Sequence, residues 1–240
     1  MAGLRLNLLG GFELLSPGGA PLSLPPRKAK ALLAYLALGG SRPHARDKLA
    51  ALLWADCADA QARTSLRQAL SAIRKSLGED NCIEADTQTV TTCPEALTVD
   101  AVEFEQGVAE GNEGSLWRAV DLYSGDLLEG FNVDAPGFQA WLGAQQERLR
   151  RLAVDALSRL AEDHAENGPI ERATAAATRL IALDPLHERT HRLLMQLYLK
   201  QGRQPAALKQ YQLCREILRR ELGVSPEAET ERVHRELLRE

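Results

Sequence analysis

The stretch from Asp59 to Leu77 holds the residue types of this chain that are best suited to contact a nucleic acid. Leucine and isoleucine recur in it every three or four residues, which predicts an amphipathic helix with one apolar stripe facing a core. The opposite side and one shoulder carry cations, an amide and hydroxyls: Arg63, Thr64, Arg67, Gln68, Ser71, Arg74 and Lys75. Arginine and glutamine can pair bidentately with guanine and adenine, and hydroxyls can bond to bases or phosphates. These seven residues are the predicted DNA-reading set.

The elements that precede this helix are predicted from the hydrophobic pattern. Alternating apolar residues between Leu4 and Leu15, followed after a turn by Leu22-Ser23-Leu24, predict a small antiparallel sheet. A helical period from Lys28 to Leu38 predicts a first helix, closed by two glycines. A second helix follows, and we expect the segment Ser41-Arg42-Pro43-His44 to cap it.

The residues around and after the third helix complete the pattern of a winged helix. Asp59 is placed to cap this helix and Gly78 to end it. From Ile83 to Val99 the pattern returns to β, and the polar turn Asp86-Thr87-Gln88 predicts a hairpin. On composition alone, an inert solvated helix is the better interpretation of the third helix, because arginine and glutamine are also good helix formers. Its position after two helices and before a hairpin favours DNA contact.

Additional cations precede the third helix and could neutralise DNA phosphates. They lie at the start of the first helix and around the second: Arg27, Lys28, Lys30, Arg42, Arg46 and Lys48. For any single one of them, an ordinary surface position is the better interpretation. The hairpin tip lacks an arginine or lysine that could enter a minor groove. A wing contact would therefore use the polar residues Thr87, Gln88 and Thr89 or the backbone.

The sequence from Asp100 onward shows only helical periodicity. We therefore predict two domains, a winged-helix DNA-binding domain at residues 1–98 and an all-α domain at residues 99–240. The predicted fold class is mainly α with small β-sheets.

The all-α half contains an internal repeat. Gly168 and Gly202 are 34 residues apart, as are Ala173 and Ala207, and this is the tetratricopeptide period. Each glycine is expected at the turn between two helices, with Pro185 or Pro226 ending the second helix of a copy. Gly114 and Ala119 show the same offset of five residues, so we expect about three helix pairs.

Length and charge agree with two domains of different character. The 240 residues are enough for two cores of roughly 100–150 residues each. The net charge is −4, but residues 1–98 hold 11 Lys and Arg against 9 Asp and Glu, so the basic excess lies in front. No apolar run approaches the roughly 20 residues that span a bilayer, and no signal-peptide pattern is present, so we expect a cytoplasmic protein without membrane contact.

The sequence offers little for catalysis or metal binding. The four cysteines lie in different segments without a CxxC pair, which argues against a zinc site and against a disulfide framework. His187 and His191 share a helix face, but an ordinary surface position is the better interpretation. No phosphate-binding loop and no protease or hydrolase motif is found. We expect no enzyme activity, no catalytic residue, no metal and no cofactor.

At this point the residues themselves resemble a known family. The chain is similar to the antibiotic regulatory proteins of actinomycetes and their wider relatives, in which an OmpR-type winged helix precedes a bacterial transcriptional activator domain. In the front half, the resemblance rests on LRLNLLGGFEL (4–14), RKAKALLAYLAL (27–38), RDKLAALLW (46–54) and ARTSLRQALSAIRKSLG (62–78). In the second half, it rests on VDAVEFE (99–105), AVDLYSGDLLEGF (119–131) and residues 182–230, which end in LGVSPEAET.

The resemblance implies a transcriptional activator. Its members bind direct repeats near a promoter, usually as two protomers side by side, and contact RNA polymerase. The expected partners are therefore double-stranded DNA, RNA polymerase and a second copy of the chain on DNA. The helical run Glu227–Glu240 continues to the last residue, so we expect a longer natural protein with a further output domain.

Two rival functions remain open from the sequence. The winged helix could be a docking module of a protein-interaction scaffold, or of a regulatory fragment of a larger protein, without DNA binding of its own, because fold alone does not fix function. The acidic overall balance favours this rival, whereas the cationic third helix disfavours it. An enzyme in the helical half would need a cleft of convergent titratable groups, and none is located.

Overall fold

The computed structural model of the protein describes residues 3–239. The chain forms two compact units: one extends to residue 111 and includes residues 121–149, and the other comprises residues 112–120 and the chain from residue 150. A boundary near residue 98 stays a prediction. The fold class is confirmed, since within residues 3–239 the short strands all lie before residue 100 and the elements from Asp100 onward are helices.

The first unit contains all the named strands and the predicted three helices, followed by a fourth. In chain order, the strands and α-helices that lie wholly in this unit are β1 (Leu4–Asn7), β2 (Glu13–Leu15), α1 (Arg27–Leu38), β3 (His44–Ala45), α2 (Arg46–Leu53), α3 (Asp59–Leu77), β4 (Ile83–Ala85), β5 (Thr89–Thr92), β6 (Leu97–Val99) and α4 (Asp100–Glu110). The helices α1 to α3 and the hairpin of β4 and β5 confirm the predicted winged-helix order.

The N-terminal sheet differs from the prediction in its third strand. β1 lies between β2, with which it is antiparallel, and β6, with which it is parallel. Leu22-Ser23-Leu24 forms no strand, and Pro21 makes only an isolated bridge to Leu15. Prolines at positions 21, 25 and 26 lack the N–H donors that a ladder needs, so this segment cannot pair along its length.

The wing belongs to a second sheet, in which β5 lies between β3 and β4. β4 and β5 are antiparallel neighbours joined by the turn at residues 86–88. β3 pairs with β5 through His44 opposite Val90 and Ala45 opposite Thr89. The strand β3 directly precedes α2, so the sheet ties the wing to the start of the helix-turn-helix.

The caps predicted for α2 and α3 are wrong, and the end predicted for α3 is confirmed. Because His44 lies in β3, the N-cap residue of α2 is Ala45, without a side-chain bond, and Ser41 is too far away to serve. Asp59 is already the first residue of α3, whose N-cap is Ala58. Its charge still lies at the positive end of the helix dipole. Gly78 ends α3 with a φ of 59°, and its N–H donates to the carbonyl of Arg74.

Asp100 joins α4 to the end of β1. Its carboxylate accepts the N–H of Leu8 at 2.8 and 2.9 Å, of Leu9 at 2.9 Å and of Ala101 at 2.7 Å. The side chain is buried, and burial raises the pKa of its carboxyl although these N–H groups oppose the rise. The N–H groups of Leu8 and Leu9, just after β1, therefore tie this buried carboxylate and the start of α4 to the N-terminal sheet.

The remaining helices are α5 (Glu113–Leu122), α6 (Pro136–Asn167), α7 (Ile170–Leu183), α8 (Glu188–Lys200), α9 (Gln204–Leu222) and α10 (Ala228–Leu237). Of these, α7 to α10 lie in the second unit. Helix α5 lies mainly in the second unit, and α6 begins in the first unit and continues into the second. Glu240, where the predicted helical run ends, lies outside the described residues.

The predicted repeat is visible in α6 to α9. Gly168 lies between α6 and α7, and Gly202, with a φ of 70°, lies between α8 and α9. The repeat alanines Ala173 and Ala207 are fully buried, so small side chains let each pair of helices approach closely.

Two details of the repeat prediction are wrong. Gly114 lies inside the first turn of α5, and the glycine that ends the preceding helix is Gly111, with a φ of 70°. Helix α9 is ended by Gly223, also with a φ of 70°, before Pro226 is reached. In both places a left-handed residue at the C-cap releases the chain from the helix, which glycine does at the least steric cost.

Candidate nucleic-acid interface

Helix α3 separates its apolar and polar residues onto opposite sides. The predicted stripe of Leu66, Leu70, Ile73 and Leu77 is at most 4% exposed. All seven residues of the predicted reading set are exposed: Arg63, Thr64, Arg67, Gln68, Ser71, Arg74 and Lys75. The buried stripe anchors the helix to the core, and the opposite side faces solvent.

The N-terminal half of this exposed side is held by local contacts. Arg63 Nε donates to Asp47 Oδ1 at 2.9 Å, which links α3 to the first turn of α2. The Thr64 hydroxyl donates to the carbonyl of Ala60 at 2.9 Å and accepts a bond of 3.0 Å from the Arg67 guanidinium. These contacts fix side-chain directions while leaving the side chains exposed. Arg63 is partly neutralised, which weakens it as a DNA contact.

The C-terminal half of the same side carries groups with open hydrogen-bonding capacity. Within residues 3–239, Gln68, Ser71, Arg74 and Lys75 make no side-chain hydrogen bond or ion pair. Arg74 and Lys75 also lie in the last turn of the helix, where cations are favoured by the helix dipole. The four side chains are available to an external ligand.

One exposed residue of α3 was missed by the sequence prediction. Gln61 lies seven residues before Gln68, on the same side of the helix, and is exposed. Its position could have been found from the helical period alone, because residues separated by seven fall on nearly the same face. The outward stripe then reads Gln61, Thr64, Gln68, Ser71 and Lys75.

The wing tip is held in shape by its own acidic residue. Asp86 accepts the N–H of Gln88 at 2.7 Å, the N–H of Thr89 at 2.6 Å and the Thr89 hydroxyl at 3.0 Å. These bonds to Thr89 and Gln88 lower the pKa of the Asp86 carboxyl below its usual range. Thr87 and Gln88 are exposed, and Thr89 is half-buried. The tip therefore offers a carboxylate and short polar groups.

Arg46 braces the wing from α2. Its guanidinium donates to the carbonyl of Asp86 at 3.1 Å, and its backbone N–H donates to the carbonyl of Gln88 at 2.9 Å. Arg46 was predicted as a possible phosphate contact, and the structure gives it a second role in fixing the wing turn.

The other predicted phosphate contacts differ in whether their side chains are already engaged within the protein. Arg27 donates to the carbonyl of Asn132 at 3.3 Å, while Lys48 is exposed at the start of α2. Two lysines are half-buried over aromatic rings: Lys28 lies 5.6 Å from the centre of the Trp54 ring, and Lys30 lies 5.1 Å from that of Phe12. A cation held over a ring inside its own domain is less available to a phosphate.

Residues 3–239 can be compared with the requirements of a metal site and of a membrane span. They contain no group of three or more His, Cys, Asp or Glu side chains that could hold a metal ion. Across the same residues, no helix has both the length and the apolar character that crossing a bilayer requires.

Residues 95–238 match the model of the family described as the bacterial transcriptional activator domain. The chain belongs to this family. The match covers more than half of the chain and contains residues 182–230, on which part of the resemblance to the antibiotic regulatory proteins rests. That resemblance is confirmed, and the family is one of transcription regulators.

The chain can be aligned over nearly its whole length with known regulators from Streptomyces. The regulatory protein AfsR of Streptomyces griseus is 29% identical over 98% of this chain, which spans 24% of that relative. The transcriptional regulator RedD of Streptomyces coelicolor is 27% identical over 98% of this chain, and the alignment covers 70% of RedD. This chain thus spans about a quarter of one relative and more than two thirds of the other.

A solved structure shares the fold of the chain. The structure of Mycobacterium tuberculosis EmbR in complex with a low affinity phosphopeptide matches 98% of this chain and 65% of that one. The TM-score is 0.69 and the sequence identity is 22%. This likeness concerns the fold alone.

Proposed function

We propose that the chain regulates transcription by binding double-stranded DNA, with α3 in the major groove. The observation that carries the proposal is the exposure of all seven predicted reading residues on a helix whose apolar stripe is buried. An α-helix with its side chains is about 10–12 Å across, and the major groove is about 12 Å wide. Because α3 follows α2 and precedes the wing, it occupies the position of a recognition helix.

The two halves of α3 have different roles in this proposal. Residues near the start of a recognition helix contact base edges. Gln61, Thr64, Arg67 and Gln68 would therefore read bases, with Arg67 directed by its bond to Thr64. Arg74 and Lys75, at the far end of the helix, would contact phosphates and contribute affinity without specificity. Arg63 would chiefly hold α3 against α2 through Asp47.

The predicted partners beyond DNA remain part of the same proposal. Membership in the activator-domain family supports activation, and with it a contact to RNA polymerase and a second copy of the chain bound beside the first. No enzymatic step is needed for any of these roles.

The proposal is tested by selecting duplexes from a random-sequence library with the full chain and measuring affinity for the enriched duplex by fluorescence anisotropy. Arg67→Ala should weaken binding by about 1–3 kcal/mol if Arg67 reads a base. Arg219→Ala is the matched control, because Arg219 is an exposed arginine of α9. Failure to enrich any sequence, or equal affinities of both variants and the parent, would contradict the proposal and favour the rival scaffold function.

A further inference from the structure

Two cysteines lie opposite each other at the base of the wing hairpin. The register of β4 and β5 places Ile83 opposite Thr92, so the next pair away from the turn is Cys82 and Cys93. The Cys93 N–H donates to the carbonyl of Cys82 at 2.8 Å, which shows that the strands are still in contact there. No CxxC spacing marks this pair in the sequence, because the two cysteines are separated by the whole hairpin.

The register of this pair is compatible with the Cα spacing that a disulfide needs. Directly opposed residues of antiparallel strands point to the same face, and their Cα atoms are about 5.5 Å apart at a hydrogen-bonded position. Disulfides join Cα atoms that are about 4.4–6.8 Å apart. Both cysteines are free in this structure. A bond between them would also require the two Cβ atoms, which are about 4.5–5.5 Å apart in opposed pairs, to come within about 3.5–4.5 Å of each other.

The two thiols differ in their access to solvent. Cys82 is fully buried, and this burial raises the pKa of its thiol to about 11, with a smaller contribution from Cys93. Cys93 is half-buried and is followed by Pro94, which keeps the backbone extended at this position. An oxidant from solvent would reach Cys93 first, and Cys82 would be the neighbouring thiol that reacts second.

We propose that Cys82 and Cys93 form a reversible disulfide across the base of the wing when the protein meets a peroxide. The peroxide oxidises the Cys93 thiol to a sulfenic acid and is itself reduced to water or an alcohol. The Cys82 sulfur then attacks the Cys93 sulfur; the Cys82 proton and the hydroxyl of the sulfenic acid leave together as water. Two equivalents of an external thiol reverse the reaction and become a disulfide.

The cross-link would close a loop that contains both wing strands and the turn between them. Restricting this loop limits the conformations open to the wing, as disulfides do in general. The site does not depend on DNA binding, so it can be tested separately from the proposed function.

The test treats the full chain with hydrogen peroxide, blocks remaining thiols with N-ethylmaleimide in acid-quenched denaturant, and maps cysteines by mass spectrometry after trypsin digestion. Residues 76–118 contain no Lys or Arg before Arg118, so one tryptic peptide carries both cysteines. We expect that this peptide loses two hydrogens and takes up no N-ethylmaleimide, and that prior reduction with dithiothreitol restores two labels.

Variants separate the disulfide from other oxidation products. Cys93→Ser and Cys82→Ser should each abolish the loss of two hydrogens, while Cys57→Ser, at a cysteine outside the hairpin, should leave it unchanged. The proposal is overturned if the peptide still takes up two labels after peroxide, if Cys93 proceeds to sulfinic acid while Cys82 is labelled, or if the link joins two chains.

Discussion

Helix α3 and the wing hairpin are the two elements that the proposed function brings near DNA, and in this chain they are chemically unlike. The outward side of α3 carries Gln68, Arg74 and Lys75 with open hydrogen-bonding capacity. The wing tip carries Asp86, whose carboxylate is occupied by three bonds inside its own turn. A carboxylate near phosphates is repelled by them, whereas the cations of α3 are attracted.

This difference assigns the affinity and specificity of the proposed complex to the helix. The wing is short, Asp86 bonds within its turn, and Arg46 braces it from α2. We infer that its contribution is to support α2 and α3 from the side and that it makes few contacts with DNA.

The largest effect concerns the anchoring of α3. Leu70 is 3% exposed, so Leu70→Ala should lower the free energy of unfolding by about 2–5 kcal/mol, because it leaves a cavity under the helix. The measurement is urea denaturation followed by circular dichroism. Ser71→Ala, on the exposed side, should change stability by less than about 0.5 kcal/mol. In the wing, Ile83→Val should cost about 0.5–1.5 kcal/mol. A loss for Leu70→Ala no larger than for Ser71→Ala would show that the stripe does not anchor the helix.

A smaller effect concerns the phosphate contacts at the end of α3. Lys75→Ala should reduce the slope of log affinity against log salt concentration by about 1, since one released counterion is lost. Anisotropy titrations of the selected duplex at several salt concentrations give this slope. The exposed Lys209 of α9 provides the matched control, and Lys209→Ala should keep the parent slope. If both lysines changed the slope equally, the phosphate role would not be specific to α3.

The smallest effect is the pH dependence of the wing turn. The pKa of Asp86 is lowered in the folded chain, so the bonded turn is favoured above the ordinary Asp pKa of about 3.9 and is lost as pH falls through the lowered value. The amide signals of Gln88 and Thr89 should shift together in NMR spectra below about pH 4. Asp86→Asn should remove this transition. A transition that persists in Asp86→Asn would belong to another group.

The buried side and the end of α3 could be predicted from sequence because they depend on local signals. The apolar spacing from Leu66 to Leu77 and the glycine at position 78 set the buried side and the end of α3. The same spacing also gave the exposed side correctly, because burial of one stripe turns the opposite residues outward.

The errors arise from contacts between residues that are distant in sequence. The two-residue strand β3 gives no periodic signal, and it exists because β5 pairs with it more than 40 residues later. The parallel pairing of β6 with β1 likewise joins segments that are more than 90 residues apart in the sequence. In the site, the sequence places Arg63 on the correct helix but does not reveal Asp47, its partner on α2.

The comparison of Gln68→Ala with Gln88→Ala tests the division between helix and wing most directly, because it removes the same exposed side chain from each. The measurement is the dissociation constant of each variant for the same selected duplex at one salt concentration. We expect Gln68→Ala to weaken binding by about 1–3 kcal/mol and Gln88→Ala to change it by less than about 0.5 kcal/mol. Equal losses, or a greater loss for Gln88→Ala, would contradict the assignment of DNA reading to α3.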